Sequence, residues 1–301
     1  MYAAIALSLI MVPSEALGPG DHTRSLSVDG RDRSYVVHVP RTYDRRKPTP
    51  VVLAFHGGGT HAETMVAFSG LNRKSDQAGF IVVYPNGTGR LPRVLTFHGG
   101  NCCGYAMTHN VDDVNFTRKL LDDLALVCRV DSKRVYATGM SNGAIMAYRL
   151  ASELSDRIAA IAPVAGTMGT ETCRPKRPVS VIHFHGTDDE HVPIGGGKGV
   201  GPSGTEFHSV EHSIRAWVES NGCQNRPTVA TIADTEGDGT SALRTTYGQG
   251  RDGSEVVLVE IRGMGHTWPG QPTRLRTLGK STANVSANDL MWEFFEKHPM
   301  P

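Results

Sequence analysis

The stretch YATGMSNGAIMAYRLASEL, Tyr136 to Leu154, decides the architecture. A run of β-branched and aromatic residues stops at Gly139, and a helical pattern resumes after Gly143 with one serine between them. A chain that reverses sharply while holding one hydroxyl outward needs neighbours without side chains, and a glycine two positions to each side of Ser141 meets that need. The pattern G-x-S-x-G predicts a strand, a strained corner and a helix whose N-terminus points toward the hydroxyl. Ser141 is then the candidate nucleophile. Three fixed positions in five arise by chance in a chain with 34 glycines, so the flanking sequence has to carry the reading.

On both sides of that stretch, buried strands alternate with helices. TPVVLAFHGGG (residues 49–59) and FIVVYPNG (80–87) are short unbroken apolar runs, the mark of strands covered on both faces. IAAIAPVAG (158–166) and RPVSVIHFHG (177–186) repeat the pattern. Residues 62–78 carry Met65, Phe68 and Leu71 near helical spacing and stop at Gly79, which predicts one helix. Asp112 caps a second over 112–130, and further helices are expected at Ser209–Ser220 and Ala287–Lys297. RSLSVDG and RSYVVHVP read as two early strands joined by Asp29-Gly30, and two late strands span Ser241 to Arg262. This alternation predicts a mostly parallel sheet with helices on both faces, whose reactive groups gather at the carboxyl ends of the strands. The loop from Gly87 to His109 is left without an assignment.

The 301 residues carry a net charge of +1, with 39% hydrophobic and 20% charged residues, which gives no electrostatic case for nucleic acid or an anionic membrane as partner. Ala3–Val12 is apolar but too short to span a bilayer, and Ser14-Glu15-Ala16 fits a small-x-small cleavage site. Residues 1–20 therefore read as a signal peptide or leader, and the expected location is secreted or periplasmic. Residues 21–301 read as one catalytic domain. Five cysteines, Cys102, Cys103, Cys128, Cys173 and Cys223, allow one or two disulfides and leave at least one free thiol.

A serine hydroxyl needs a base to take its proton as it attacks, and histidine has the right acidity plus a second nitrogen for an orienting carboxylate. In the α/β-hydrolase chain order of serine, acid, histidine, the base must follow Ser141. Of the histidines that do, His266 lies in the glycine-flanked turn GMGHTWPG after a strand, where its ring can reach the serine. Asp188 and Asp189 follow the strand VSVIHFHG and are equally good acids on position alone, with Asp234 and Asp238 behind them. FHGGG, Phe55 to Gly59, suits an oxyanion site, with the Gly58 N–H as one donor and the N–H of Asn142 as the other.

Taken with NCCGYA (101–106), VDDVNF (111–116), APVAGT (162–167), HGTDDEHVP (185–193) and GHTWPG (265–270), these segments resemble the secreted polyhydroxybutyrate depolymerase-like and feruloyl esterase-like branch of the α/β-hydrolases, over about Arg33 to His298. The resemblance implies an α/β-hydrolase fold and a serine esterase acting through an acyl-enzyme on short polyesters or on feruloyl and other aryl esters. Its G-T-x-D-x-x-V-P pattern selects Asp189 as the acid. It also implies that Trp268 walls the acyl group, and His56, in the same glycine-rich segment, is expected to bind substrate. His98 departs from the family pattern.

Two rivals follow from the same residues. His183, His185 and His191 suggest a metal-dependent hydrolase, but the spacing of an H-x-H-x-D-H zinc motif fails. A non-catalytic binding protein on a hydrolase fold would normally lack one of the three catalytic groups. The expectation is an enzyme with no metal and no cofactor.

Overall fold

The structure is a computed structural model describing residues 16–273 and 275–301. Most of the leader expected over residues 1–20 lies outside the described residues. In chain order the elements are β1 (Gly20–Val28), β2 (Arg31–Val39), β3 (Thr49–Phe55), α1 (Ala62–Ser69), α2 (Leu71–Ala78), β4 (Ile81–Pro85), β5 (Thr88–Leu91), β6 (Val94–Thr96) and α3 (Gly104–Thr108). They continue with α4 (Asp113–Val127), β7 (Val130–Met140), α5 (Asn142–Glu153), β8 (Ala160–Val164), β9 (Ser180–Gly186), β10 (Gly197–Lys198) and β11 (Glu206–Phe207). The chain closes with α6 (Val210–Asn221), β12 (Thr228–Ile232), β13 (Ser241–Tyr247), β14 (Val256–Arg262) and α7 (Ala287–Lys297).

Ten of the strands form one sheet in the order β1-β2-β4-β3-β7-β8-β9-β14-β13-β12. The six central strands, β4 to β14 in that order, are parallel, and antiparallel strands close both edges. The unbroken apolar runs have their physical reason here: β3, β8 and β9 are buried along their whole length, because helices cover both faces of a parallel sheet. Side chains alternate between two cores. Val51, Leu53 and Phe55 pack with Leu120, Tyr148 and Trp217 of α4, α5 and α6, while Val52 and Ala54 pack with Met65, Leu71 and Phe295 of α1, α2 and α7.

The β1–β2 turn is the one expected: Asp29 and Gly30 take φ of 50° and 72°, as a two-residue hairpin with both central residues left-handed requires. Other segments differ from the sequence reading. The single helix expected over 62–78 is two, because Gly70 takes φ 63° and its N–H closes α1 on the Val66 carbonyl. Asn288 at the start of α7 then donates to the freed Ser69 carbonyl. The unassigned loop 87–109 folds into the β5–β6 hairpin and α3, and β12 adds an edge strand that periodicity did not reveal. Among the described residues no helix is long and apolar enough to cross a membrane.

Candidate active site

Ser141 sits between the end of β7 and the start of α5 with φ 57° and ψ −119°. A non-glycine residue held at positive φ costs of order 1–3 kcal/mol and persists only where its surroundings impose it. The flanking glycines explain why this corner can form. A Cβ on Gly139 would lie 2.5 Å from the carbonyl of Gly143, and one on Gly143 would collide with the carbonyl of Phe55. The third strand therefore packs directly against the corner. It brings its own glycine-rich exit beside the serine: a Cβ at Gly57 would lie 3.8 Å from that of Ser141, and one at Gly58 would lie 3.5 Å from that of Asn142. Ser141, Gly58 and Asn142 border one cleft, and the backbone N–H groups of Gly58 and Asn142 have no acceptor among the described residues.

Asp189 and His266 arrive from the ends of β9 and β14, which are adjacent parallel strands. His266 Nδ1–H donates to Asp189 Oδ2 at 2.7 Å, so the proton sits on Nδ1 and Nε2 is left as the basic nitrogen. The second carboxylate oxygen accepts from the backbone N–H groups of His191 and Val192, both at 2.9 Å. Burial alone pushes the Asp189 carboxyl up. The hydrogen bond and charge of His266, with smaller help from His185 and the Val192 N–H, outweigh it and hold the group below the usual carboxylate range. Asp188 is exposed and accepts instead from the Thr187 hydroxyl at 2.8 Å. Of the two neighbouring acids, position 189 alone meets a histidine. Asp234 and Asp238 bind backbone N–H groups and Asn284 in a surface loop.

The cleft has a volume of about 720 Å³ and is bordered by His266 as well as Ser141. Its walls are mostly apolar: Met65, Phe68, Tyr105, Ile145, Phe207 and Leu278 supply much of the lining. The sequence offered Met65 and Phe68 only as helix positions and the other four not at all, and Tyr105 alone of the six comes from the loop that had no assignment. An aromatic or large aliphatic residue in a glycine-rich loop is the signal that was available. A further clasp was also missed. The Asn142 side chain accepts from the Phe97 N–H at 2.8 Å and donates to the Phe97 carbonyl at 2.9 Å, tying the elbow to the loop that carries Cys102 and Cys103 into the cleft wall.

Two residues expected to bind substrate do not reach the cleft. Trp268 is buried in the core behind the sheet, and its indole N–H donates to Asn288 Oδ1 at 2.9 Å. An indole that needs a partner for its N–H found one on α7, which turned the ring inward. His56 is also fully buried. Its Nδ1–H donates to the Gly57 carbonyl at 2.8 Å and its Nε2 accepts from the Gly87 N–H at 3.0 Å, so it ties the Gly57–Gly59 loop to the turn after β4. Burial pushes its pKa down to about 4. It holds the Gly57–Gly59 loop from behind and is not part of the cleft lining.

His183 and His185 lie in the interior with both ring nitrogens engaged, by Tyr148, by each other and by the Val192 carbonyl. His191 turns its Nε2–H to the Thr277 carbonyl at 3.0 Å. His183 and His185 thus have both ring nitrogens committed to each other and to protein partners, and no group of three metal-binding side chains occurs among the described residues.

A parallel sheet wrapped on both faces, a serine at a strained strand-to-helix corner, and a histidine–aspartate pair from two neighbouring strand ends define the α/β-hydrolase class. Residues 33–183 match the family model described as Esterase PHB depolymerase, and the chain belongs to that family. The protein NocK of Nocardia uniformis subsp. tsuyamanensis, itself assigned as an esterase only provisionally, is 31% identical over 90% of this chain and 81% of its own length. Feruloyl esterase B of Piromyces equi is 29% identical over 78% of this chain, which spans 42% of that longer protein. Among solved structures, the acetyl xylan esterase from Aspergillus awamori superposes with a TM-score of 0.61 at 16% identity, covering 91% of this chain and 99% of that one, a likeness of fold. The protein is a carboxylic ester hydrolase, and the metal-dependent and non-catalytic alternatives are not favoured.

Proposed function

We propose that Ser141 is the nucleophile of this esterase, His266 its general base and Asp189 the acid that orients the base. His266 Nε2 takes the hydroxyl proton as Ser141 attacks the ester carbonyl. Asp189 holds the proton on Nδ1 and stabilises the imidazolium that forms. The N–H groups of Gly58 and Asn142 receive the oxyanion, each contributing about 3 kcal/mol of barrier lowering. His266 then protonates the departing alcohol, and a water activated by the same base releases the acid from the acyl-enzyme. The observation that carries this reading is the Asp189–His266 hydrogen bond at the edge of the one cleft that Ser141, Gly58 and Asn142 share.

The acyl group is apolar, either a short hydroxyalkanoate unit of a polyester or a feruloyl-type aryl group. The apolar walls of the cleft and the names of the feruloyl esterase relatives support this. The enzyme acts outside the cytoplasm as one catalytic domain over 21–301, with Cys102 and Cys103 bonded to each other and Cys128, Cys173 and Cys223 free. The test has two parts. A serine-directed phosphonate followed by peptide mass spectrometry must place its adduct on Ser141. Kinetics on p-nitrophenyl esters of increasing chain length, methyl ferulate and a hydroxybutyrate oligomer must rank an apolar acyl group first. An unlabelled Ser141, or a preference for acetyl over every longer or aromatic acyl group, would contradict the reading.

A further inference from the structure

Behind the acid loop, three buried polar side chains run in single file. Tyr148 on α5 and His183 and His185 on β9 are fully shielded from solvent. The hydroxyl of Tyr148 lies 2.8 Å from His183 Nδ1, His183 Nε2 lies 3.0 Å from His185 Nδ1, and His185 Nε2 lies 2.8 Å from the Val192 carbonyl. We infer that these three residues form a one-way hydrogen-bond relay that sets the position of the Asp189 carboxylate, with His185 its terminal positioning residue. The inference rests on the proposed roles of Asp189 and His266.

The direction of the relay follows from its last contact. A carbonyl oxygen only accepts, so His185 carries its proton on Nε2 and leaves Nδ1 bare. That bare nitrogen must accept from His183 Nε2–H, which leaves His183 Nδ1 bare in turn, and the Tyr148 hydroxyl must donate to it. With both rings neutral, one proton arrangement satisfies all three contacts. Burial keeps the rings neutral, lowering the pKa of both histidines; at His185 the charge of Asp189 and the Val192 carbonyl oppose it, and at His183 the neighbouring ring adds to it. The groups facing His185 are His183 on its own strand, Asp189 in the acid loop and His266 beyond β14. Tyr148 and, next to it, Cys173 stand at the far end.

The relay ends where the catalytic geometry is decided. Val192, whose carbonyl is anchored by His185, is the residue whose N–H grips Asp189 Oδ1, and His185 Nε2 itself stands 3.5 Å from Asp189 Oδ2, the oxygen that His266 uses. The far end of the relay is attached to α5, the helix that begins directly after Ser141. Two imidazoles and a phenol in the interior cost desolvation that an apolar filling would avoid, so packing alone does not account for them. Their arrangement couples the helix behind the nucleophile to the loop that holds the acid.

The test uses Tyr148→Phe, His185→Leu and His185→Gln, with kcat and KM for p-nitrophenyl butyrate expressed per active site titrated to completion with the phosphonate. A displacement of the orienting acid by a fraction of an ångström lowers kcat per site, so His185→Leu is expected to lose roughly 10- to 100-fold with KM within twofold. His185→Gln keeps an N–H for the Val192 carbonyl and recovers most of the loss. Tyr148→Phe, which removes one hydroxyl and keeps the packing, loses about three- to tenfold. If His185→Leu does not fold, the other two variants decide. Unchanged kcat per titrated site in Tyr148→Phe, with only the unfolding temperature lowered, would overturn the relay while leaving the triad intact. An unlabelled wild-type Ser141 would instead overturn the proposed triad.

Discussion

His266 Nδ1–H donates to Asp189 Oδ2 at 2.7 Å across 77 residues of sequence, while the adjacent Asp188 turns to solvent. Parallel pairing of β9 with β14 creates this meeting: Gly186 pairs with Ile261, so the loops that follow leave the sheet side by side. The same pairing has measurable consequences.

Asp189→Asn should lower kcat about 10⁴-fold, because an amide cannot hold the base in the required tautomer or balance its charge. Asp188→Asn should change kcat by less than twofold. Steady-state kinetics of the two single variants make the comparison, and the opposite ranking would assign the acid to Asp188.

At Ser141 stability and activity should part. Ser141→Gly removes the side chain that makes φ 57° costly, so it should unfold at a higher temperature than Ser141→Ala, by an amount corresponding to about 1 kcal/mol. Both variants should be inactive. Calorimetry on the pair is sufficient, and equal unfolding temperatures would mean the corner is unstrained.

The position of Trp268 predicts a loss of stability without a loss of binding. Trp268→Phe leaves the Asn288 carbonyl oxygen without its donor in a buried setting, which should cost about 1–3 kcal/mol while KM stays within twofold. Phe207→Ala, on the cleft wall, should raise KM for apolar esters instead. Denaturant melts and KM values for both variants check the contrast.

Acid should destabilise the protein through its buried histidines. His56, His183 and His185 all have folded pKa values below the ordinary 6.5. The unfolded chain therefore binds more protons below pH 6.5, and stability falls as the pH drops. Each such histidine contributes a slope of up to about 1.4 kcal/mol per pH unit until its folded form titrates, near pH 4 for His56. The depressed Asp189 acts in the same direction at lower pH. Unfolding temperature measured from pH 7 to pH 4 should fall continuously, and His56→Asn should show a shallower decline.

Much of this was legible in the chain. The glycines around Ser141, the apolar runs of β3, β4, β8 and β9, and the strand-end placement of the reactive residues are local patterns, and local sterics and burial enforce them. Gly70 was less legible, because the residues around it keep helical spacing through a break that only its φ of 63° reveals. The loop from Gly87 to His109 was not legible at all. Its short strands and α3 are held by contacts to distant segments, such as the Asn142 clasp on Phe97, and leave no periodic trace.

By itself the sequence determined a parallel sheet, an elbow with one serine and a short set of acids and bases. Tertiary structure decided which of them meet. It turned Asp189 rather than Asp188 toward His266, drew Trp268 and His56 into the interior, and lined His183 and His185 up behind the acid loop. The physical reason is that a side chain's partner is set by strand pairing and by which face of the sheet it occupies, and both depend on residues far away in the chain.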